Sequence, residues 1–191
     1  MLSKKEKELK KLEKDVLSCK KCILCKKRTN PVIGQGSFKA KIMFVGEAPG
    51  AKEDASGIPF CGRSGKFLNE LLVLSKINRE DVYICNIIKC RPPENRDPSE
   101  KEIKACSCFI EKQIELIKPK VICPLGRLSM KFVMEKFGFN DDIDVIGKIH
   151  GKVFKGKETV IPFYHPAVAL YNPKMKDVLK KDFKILKKYV D

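Results

Sequence analysis

Short apolar runs and longer amphipathic segments alternate along most of this chain. Four apolar runs are typical of buried strands, and they span residues 41–46, 82–87, 121–125 and 159–163. Segments with apolar residues at helical spacing predict helices over residues 64–76, 99–117, 126–137 and 175–189. Because strands alternate with helices, the pattern predicts an α/β fold with a central, mainly parallel, four-stranded sheet and helices on both faces.

The N-terminal segment predicts a further amphipathic helix that precedes the first strand. Ser3 and Glu6 form a capping-box pattern, so this helix is expected over residues 3–18. The apolar residues at helical spacing in it are Leu9, Leu12 and Val16. Near the other end of the chain, glycines alternate with short apolar runs over residues 143–158, which predicts a hairpin.

Composition bounds the size of the domain and the kind of partner. No linker divides the 191 residues, so we expect residues 1–191 to form a single domain. The chain has 40 Lys and Arg against 24 Asp and Glu, which gives a net charge of +16. This charge favours a polyanionic partner, most often nucleic acid, although lysines that only solubilise helix faces give the same composition.

The sequence also predicts a compartment. It contains no run of 18 apolar residues, and residues 1–18 are too charged for the apolar part of a signal peptide. We therefore expect a cytoplasmic, DNA-associated monomer that makes no membrane contact. Disulfides are rare in that compartment, so metal ligation is the leading explanation for nine cysteines.

Six of the nine cysteines are candidate metal ligands. They are Cys19, Cys22 and Cys25 near the N terminus and Cys90, Cys106 and Cys108 in the middle of the chain. Four thiolates bind either zinc or an iron–sulfur cluster, and the 16-residue interval between Cys90 and Cys106 is unusual for a zinc ribbon. The remaining three cysteines lie in or beside apolar segments and are expected to be small buried hydrophobic residues: Cys61, Cys85 and Cys123.

Two segments are candidates for a binding pocket. Residues 46–62 follow the first predicted strand, and residues 163–167, Phe-Tyr-His-Pro-Ala, end the fourth. In an open α/β sheet, ligands bind outside the carboxyl ends of the strands. We therefore expect these two segments to be two halves of one pocket.

Five short motifs follow one another along the chain. They are Gly-Glu-Ala-Pro-Gly at 46–50, Gly-Ile-Pro-Phe-Cys-Gly at 57–62, the segment 82–96 around Asn-Ile-Ile-Lys-Cys-Arg-Pro-Pro, Val-Ile-Cys-Pro-Leu-Gly at 121–126 and His-Pro-Ala at 165–167. In this order they resemble the motifs of the family 4 uracil-DNA glycosylases, from Cys19 to about Pro173. The resemblance implies a DNA repair enzyme that flips uracil out of DNA and hydrolyses its N-glycosidic bond, leaving an abasic site.

The same resemblance implies a cofactor. Members of this family carry a 4Fe–4S cluster on four cysteines, which correspond by motif position to Cys19, Cys22, Cys90 and Cys106. The chain departs from the family pattern at three positions. Cys61 stands where relatives often have valine, Cys85 where they often have threonine and Tyr171 where they often have arginine.

Three residues match the needs of a flipped uracil. Phe60 can supply an aromatic stacking face, although a plain core role is the alternative. Asn86 ends an apolar strand, and its amide can accept from uracil N3–H and donate to O4, whereas cytosine presents the opposite pattern. His165 can donate to O2 and stabilise the charge that develops on the departing base.

The group that activates water is less evident in the sequence. Gly46 and Ala48 belong to the part of the first motif that is expected to lie against the base, and Ala48 occupies the position where other uracil glycosylase families have Asp or Asn. The neighbouring carboxylates Glu47 and Glu53 are therefore the candidates, with Glu47 preferred. No lysine stands out as a Schiff-base nucleophile, so we expect a monofunctional glycosylase.

DNA is expected to be held mainly through its phosphates. Ser64 and Gly65 begin a predicted helix and could donate backbone N–H groups to a phosphate. Leu170 or Tyr171 could wedge into the gap left by the base, and the alternative is that both are core residues. The alternative function is a non-catalytic, basic nucleic-acid-binding protein with a metal or an iron–sulfur cluster. A hydrolase that uses His165 is a weaker alternative, because no G-x-S-x-G or Walker motif is present.

Overall fold

A six-stranded, mostly parallel sheet forms the centre of the computed structural model, which describes residues 4–190. The strands are β1 (Gln35–Gly36), β2 (Ile42–Gly46), β3 (Tyr83–Asn86), β4 (Val121–Pro124), β5 (Phe154–Lys155) and β6 (Thr159–Val160). They lie in the order β1-β3-β2-β4-β6-β5. The four inner strands are parallel, and β1 and β5 add antiparallel edges.

Helices cover both faces of this sheet. They are α1 (Lys4–Leu17), α2 (Ala51–Ser56), α3 (Arg63–Leu74), α4 (Glu100–Ile117), α5 (Arg127–Lys136), α6 (Ile146–Ile149), α7 (Val168–Tyr171) and α8 (Met175–Phe183). Short 3-10 turns occupy Ile23–Lys26, Arg79–Asp81, Pro93–Asn95, Asn140–Asp142 and Lys184–Tyr189. The predicted α/β architecture is therefore confirmed. In residues 4–190 no helix combines the length and the apolar character that crossing a bilayer requires.

Alternate side chains of β2 pack into two separate hydrophobic cores, one on each face of the sheet. Met43 and Val45 of β2 point into the core beneath α1, α4 and α5, whereas Ile42 and Phe44 point into the core beneath α3 and α8. This alternation is what a strand buried on both faces requires. The buried positions predicted for the N-terminal helix are also confirmed, since Leu9, Leu12 and Val16 all lie in the first core.

The number of strands and the region 143–158 differ from the prediction. The four expected strands are present, but two-residue strands add an edge on each side. Residues 146–149 form α6, and the hairpin joins β5 to β6 instead. Runs of two residues give too short a pattern to be recognised in the sequence. The cap expected at Ser3 lies outside the described residues, whereas the capping box of Ser99 and Glu102 opens α4.

The strand register brings the ends of three strands together. Gly46 of β2 is paired with Asn86 of β3, and Val45 is paired with Pro124 of β4. The chain leaves β2 toward β3 on one side and later returns to β4 on the other side, so the carboxyl edge of β2 is a topological switch point. A crevice is expected at such a point.

Candidate active site

A cavity of about 470 Å³ opens at this edge of the sheet. Its walls come from the segment after β2, from the end of β3 and from the segment after β6. The predicted residues among its lining are Glu47, Ala48, Glu53, Phe60, Ser64, Asn86, His165, Leu170 and Tyr171. The two halves expected from the sequence therefore meet in one pocket.

Asn86 presents its amide at the floor of this cavity. It is the last residue of β3 and is 2% exposed. Gly46 faces it across the strand pair, and a Cβ atom on Gly46 would overlap with the Asn86 Oδ1 atom and lie 2.8 Å from the Phe60 ring. Only a glycine at this position leaves room for both side chains, which gives Gly46 a steric role in the site.

Phe60 forms the side wall. Its ring centroid lies 5.5 Å from that of His165, with an angle of 29° between the two planes. The backbone of Phe60 has a positive φ of 50°, an uncommon conformation for a bulky residue. Gly65 packs directly against the Phe60 carbonyl group, so Gly65 supports this turn and does not line the cavity, while Ser64 does.

His165 is held as a neutral imidazole. The backbone N–H of Ala167 donates to Nδ1 at 3.1 Å. Burial lowers the pKa of His165 to about 4, and the negative charge of Glu53 only partly opposes this shift. At neutral pH the proton is therefore on Nε2, since Nδ1 serves as an acceptor. The arrangement leaves a single N–H donor for a ligand.

The two candidate carboxylates have different surroundings. Glu53 lies on α2, which the sequence patterns did not predict, and its Oε1 atom accepts from the backbone N–H of Gly62 at 2.8 Å. Burial raises the pKa of Glu47, the nearby charge of Asp97 raises it further, and Arg127 opposes the change. Both carboxylates lie in the same cavity wall as Ala48.

Basic and apolar side chains surround the mouth of the cavity. Lys52, Arg63 and Arg96 lie along one part of it, and the guanidinium group of Arg96 is fixed by two contacts of 2.7 and 2.8 Å to Glu102. Leu170 and Tyr171 lie on α7 and are 36% and 82% exposed. A core role for these two side chains is thereby excluded.

Comparison with known proteins shows the family of this chain. The sequence profile of the uracil DNA glycosylase superfamily matches residues 33–188. The chain belongs to this superfamily. It is 49% identical to a type-4 uracil-DNA glycosylase of Sulfurisphaera tokodaii over 92% of this chain and 82% of that protein. It is 50% identical to the type-4 enzyme of Saccharolobus solfataricus, with 91% and 82% covered, and 45% identical to that of Archaeoglobus fulgidus, with 90% and 87% covered.

A second pocket of this superfamily member is lined by thiols. Five cysteines border it: Cys19, Cys22, Cys25, Cys90 and Cys106. Within residues 4–190, no three His, Cys, Asp or Glu side chains are arranged to hold a single metal ion. Thiols that border one pocket are a donor set for zinc or for an iron–sulfur cluster.

Positive and N–H groups surround these thiols. Arg28 donates to the Cys90 sulfur at 3.1 Å, and the backbone N–H of Lys89 donates to the Cys106 sulfur at 3.3 Å. Both contacts favour the thiolate forms that an iron cluster requires. Cys25 borders the pocket, whereas Cys108 is exposed and accepts from Lys21 at 3.1 Å.

The three cysteines expected in the core divide into two groups. Cys85 and Cys123 are fully buried, as predicted. Cys61 is only partly buried, and its sulfur lies 3.2 Å from the Ser56 hydroxyl group, because it belongs to the turn between α2 and α3 and to no strand. His150 lies outside the cavity lining and pairs with Asp182 at 2.7 Å.

Proposed function

We propose that this protein removes uracil from DNA by hydrolysing the N-glycosidic bond, which leaves an abasic site for repair. The observation that carries the proposal is the meeting of Phe60, Asn86 and His165 in one cavity. These residues supply a stacking face, a polar edge reader and a donor. The relatives described above are type-4 uracil-DNA glycosylases.

Asn86 selects the base in this proposal. Its amide oxygen accepts from uracil N3–H, and its amide nitrogen donates to O4. Cytosine offers an acceptor at N3 and a donor at C4, so both contacts become mismatched. Since the side chain is only 2% exposed, water cannot repair that mismatch, and the wrong base leaves buried polar groups unpaired.

His165 stabilises the leaving base. Cleavage of the glycosidic bond leaves negative charge on the pyrimidine ring, part of which lies on O2. A neutral imidazole donates its Nε2–H to this oxygen in a hydrogen bond. Because the pKa of His165 is lowered to about 4, the ring carries no second proton at neutral pH. The site must also stabilise the positive charge that develops on the sugar.

We assign the sugar and the attacking water to the carboxylates. Glu47 and Glu53 place negative charge in the wall of the cavity, which stabilises an oxocarbenium-like sugar and orients a water molecule. In this proposal the enzyme cleaves only the glycosidic bond and leaves the DNA strand intact.

Uracil-containing DNA, single- or double-stranded, is the proposed partner of a monomeric, intracellular enzyme. The net charge of +16 supports binding through phosphates, which makes the affinity fall steeply as salt increases. Lys52 and Arg63 at the mouth of the cavity are proposed phosphate contacts, and Ser64 lies beside them in the first turn of α3. The exposed Leu170 and Tyr171 are the proposed wedge.

A 4Fe–4S cluster held by Cys19, Cys22, Cys90 and Cys106 completes the proposal. When bound, it supplies a structural tie between the segment after α1 and the loop after β3. The donor set fits this role because the four thiols border one pocket from three separate parts of the chain.

The direct test is the release of free uracil from a uracil-containing oligonucleotide under single-turnover conditions. We expect uracil release from the wild type, strand breakage only after alkali, and a loss of about 100-fold or more in His165→Ala. The matched control is His150→Ala, which removes the other histidine outside the cavity. DNA binding without uracil release would instead support the non-catalytic nucleic-acid-binding alternative.

A further inference from the structure

A fully buried lysine lies directly below the active site. Lys89 is 1% exposed and follows the apolar residues Ile87 and Ile88 at the end of β3. Burial of an amine is costly unless it is hydrogen-bonded. Its Nζ atom donates to the backbone carbonyl of Asn86 and to Oε1 of Gln113, each at 2.7 Å.

Gln113 completes this buried network. It lies on α4, is fully buried, and its Nε2 atom donates to the Tyr83 hydroxyl group at 3.0 Å and to the Ile33 carbonyl group at 2.8 Å. Tyr83 is the first residue of β3 and Asn86 is the last. The network therefore fixes both ends of β3 to one position on α4.

The peptide group after Asn86 is held from two sides. Lys89 donates to its carbonyl oxygen, and its N–H group, that of Ile87, donates to the carbonyl oxygen of Gly46 at 2.9 Å. An asparagine side chain has only two torsions, so the location of its amide follows closely from its backbone. Lys89 thus acts on the orientation of the amide in the cavity without reaching the cavity itself.

The same lysine is joined to the thiol pocket. Its backbone N–H donates to the sulfur of Cys106, which lies on α4 less than two turns before Gln113. The backbone N–H and the amine of Lys89 therefore each contact a side chain of α4, and the amine also contacts the backbone carbonyl group of Asn86. The network joins the thiol pocket to the floor of the active site through one side chain.

We propose that Lys89 is a positioning residue that fixes the amide of Asn86 for uracil recognition, an inference that rests on the proposed function. The amine does not touch the substrate and is not a nucleophile. The role needs two hydrogen-bond donors, and an amine has at least two whether it is charged or neutral. Methionine in its place has a similar length but no donor.

The test measures single-turnover uracil release, with the maximal rate and the half-saturating DNA concentration determined separately. Lys89→Met should lower the maximal rate at least tenfold and leave the half-saturating concentration within about twofold, since a small misplacement of a reacting group costs rate. Ser75→Ala is the matched control: Ser75 is also fully buried, and its hydroxyl oxygen lies 2.9 Å from the carbonyl oxygens of Leu71 and Phe183, which belong to the opposite core.

A double-mutant cycle separates positioning from general destabilisation. If Lys89 acts through the amide of Asn86, Lys89→Met should cost less than about twofold in an Asn86→Ala background. Equal losses in both backgrounds would overturn the proposal, as would a wild-type rate in Lys89→Met. Absence of uracil release from the wild type would overturn the proposed function, and this inference with it.

A second variant separates positioning from poor folding of Lys89→Met. Gln113→Leu leaves the contact from Lys89 to the Asn86 carbonyl group in place but removes the amide partner of Tyr83 and of Ile33, so it should lower the thermal stability at least as much as Lys89→Met. At a temperature where both variants are folded, we expect Gln113→Leu to keep a rate within about threefold of the wild type. A rate as low as that of Lys89→Met would show that Lys89 contributes only to folding and would overturn the proposal.

Discussion

Mild acid tests the state of the buried imidazole of His165. Its pKa is lowered to about 4 by burial in the folded protein, whereas a histidine in an unfolded chain titrates near pH 6.5. Between these two values the unfolded chain binds a proton that the folded chain does not. The free energy of unfolding therefore decreases as the pH falls through this window and is fully recovered above it.

The size of the effect follows from the two pKa values. At pH 5 nearly every unfolded chain carries the proton on this histidine and few folded chains do. The linkage relation then gives a loss of about 2 kcal/mol relative to pH 7. This figure is an upper value, because the ring is only partly buried by surface area and water reaches the edge that faces the cavity.

Urea unfolding at pH 7 and pH 5 measures this loss in the wild type and in His165→Gln. Glutamine does not titrate, so the wild type should lose up to about 2 kcal/mol more than the variant. Other groups that titrate in this window contribute equally to both proteins, so their contributions cancel. If both proteins lose the same free energy of unfolding between pH 7 and pH 5, His165 is not a buried neutral imidazole.

The same imidazole makes a kinetic prediction. A neutral donor is already in its active form at pH 8, so the single-turnover rate of uracil release should not rise as the pH falls to 6. An imidazolium donor would instead become more populated over this range, and the rate would increase severalfold. A rising rate would therefore contradict the tautomer assigned from the contact between Nδ1 and Ala167.

The remaining predictions concern base selection, the carboxylates and the cluster. Asn86→Asp removes the donor to O4 and should slow uracil release by about 100-fold while binding to abasic DNA is retained; an undiminished rate would rule out the proposed selection. Glu47→Gln and Glu53→Gln keep the side-chain volume and should lower the single-turnover rate without weakening DNA binding, and if neither does, the water is positioned by the backbone. Cys90→Ala should lose iron, brown colour and thermal stability, whereas Cys108→Ala should keep all three, and the reverse result would refute the ligand set.

The strands and the location of the site could be predicted because each depends on local pattern. The apolar runs that became β2, β3, β4 and β6 are flanked by polar or turn-forming residues, so their limits are visible in the sequence. A parallel sheet then places the residues after β2, β3 and β6 at one edge. This is why Asn86 and His165 could be assigned to the same pocket before their distances were known.

The parts that could not be predicted depend on tertiary contact or on very short elements. Helix α2 has six residues and follows Pro49 and Gly50, so its pattern resembles a loop, although it carries Glu53. The carboxylate of Glu53 is held in place by the backbone N–H of Gly62, nine residues later, and this contact could not be read from the sequence. The pairing of Lys89 with Gln113 spans 24 residues, and the only signal was a lysine that directly follows a buried apolar run.

The lining of the cavity carries charges of both signs, Lys52, Arg63 and Arg96 against Glu47 and Glu53, and this combination is consistent with the proposed chemistry. The chain as a whole carries +16, a charge that favours a polyanionic partner, and Lys52 and Arg63 at the mouth of the cavity are the proposed phosphate contacts. The cavity behind that mouth contains Glu47 and Glu53 and a histidine without charge at neutral pH. A cation in the cavity would favour an anionic base but oppose a cationic sugar. A neutral donor on the base side, with carboxylates in the same cavity for the sugar, stabilises both halves of a dissociating nucleoside at once.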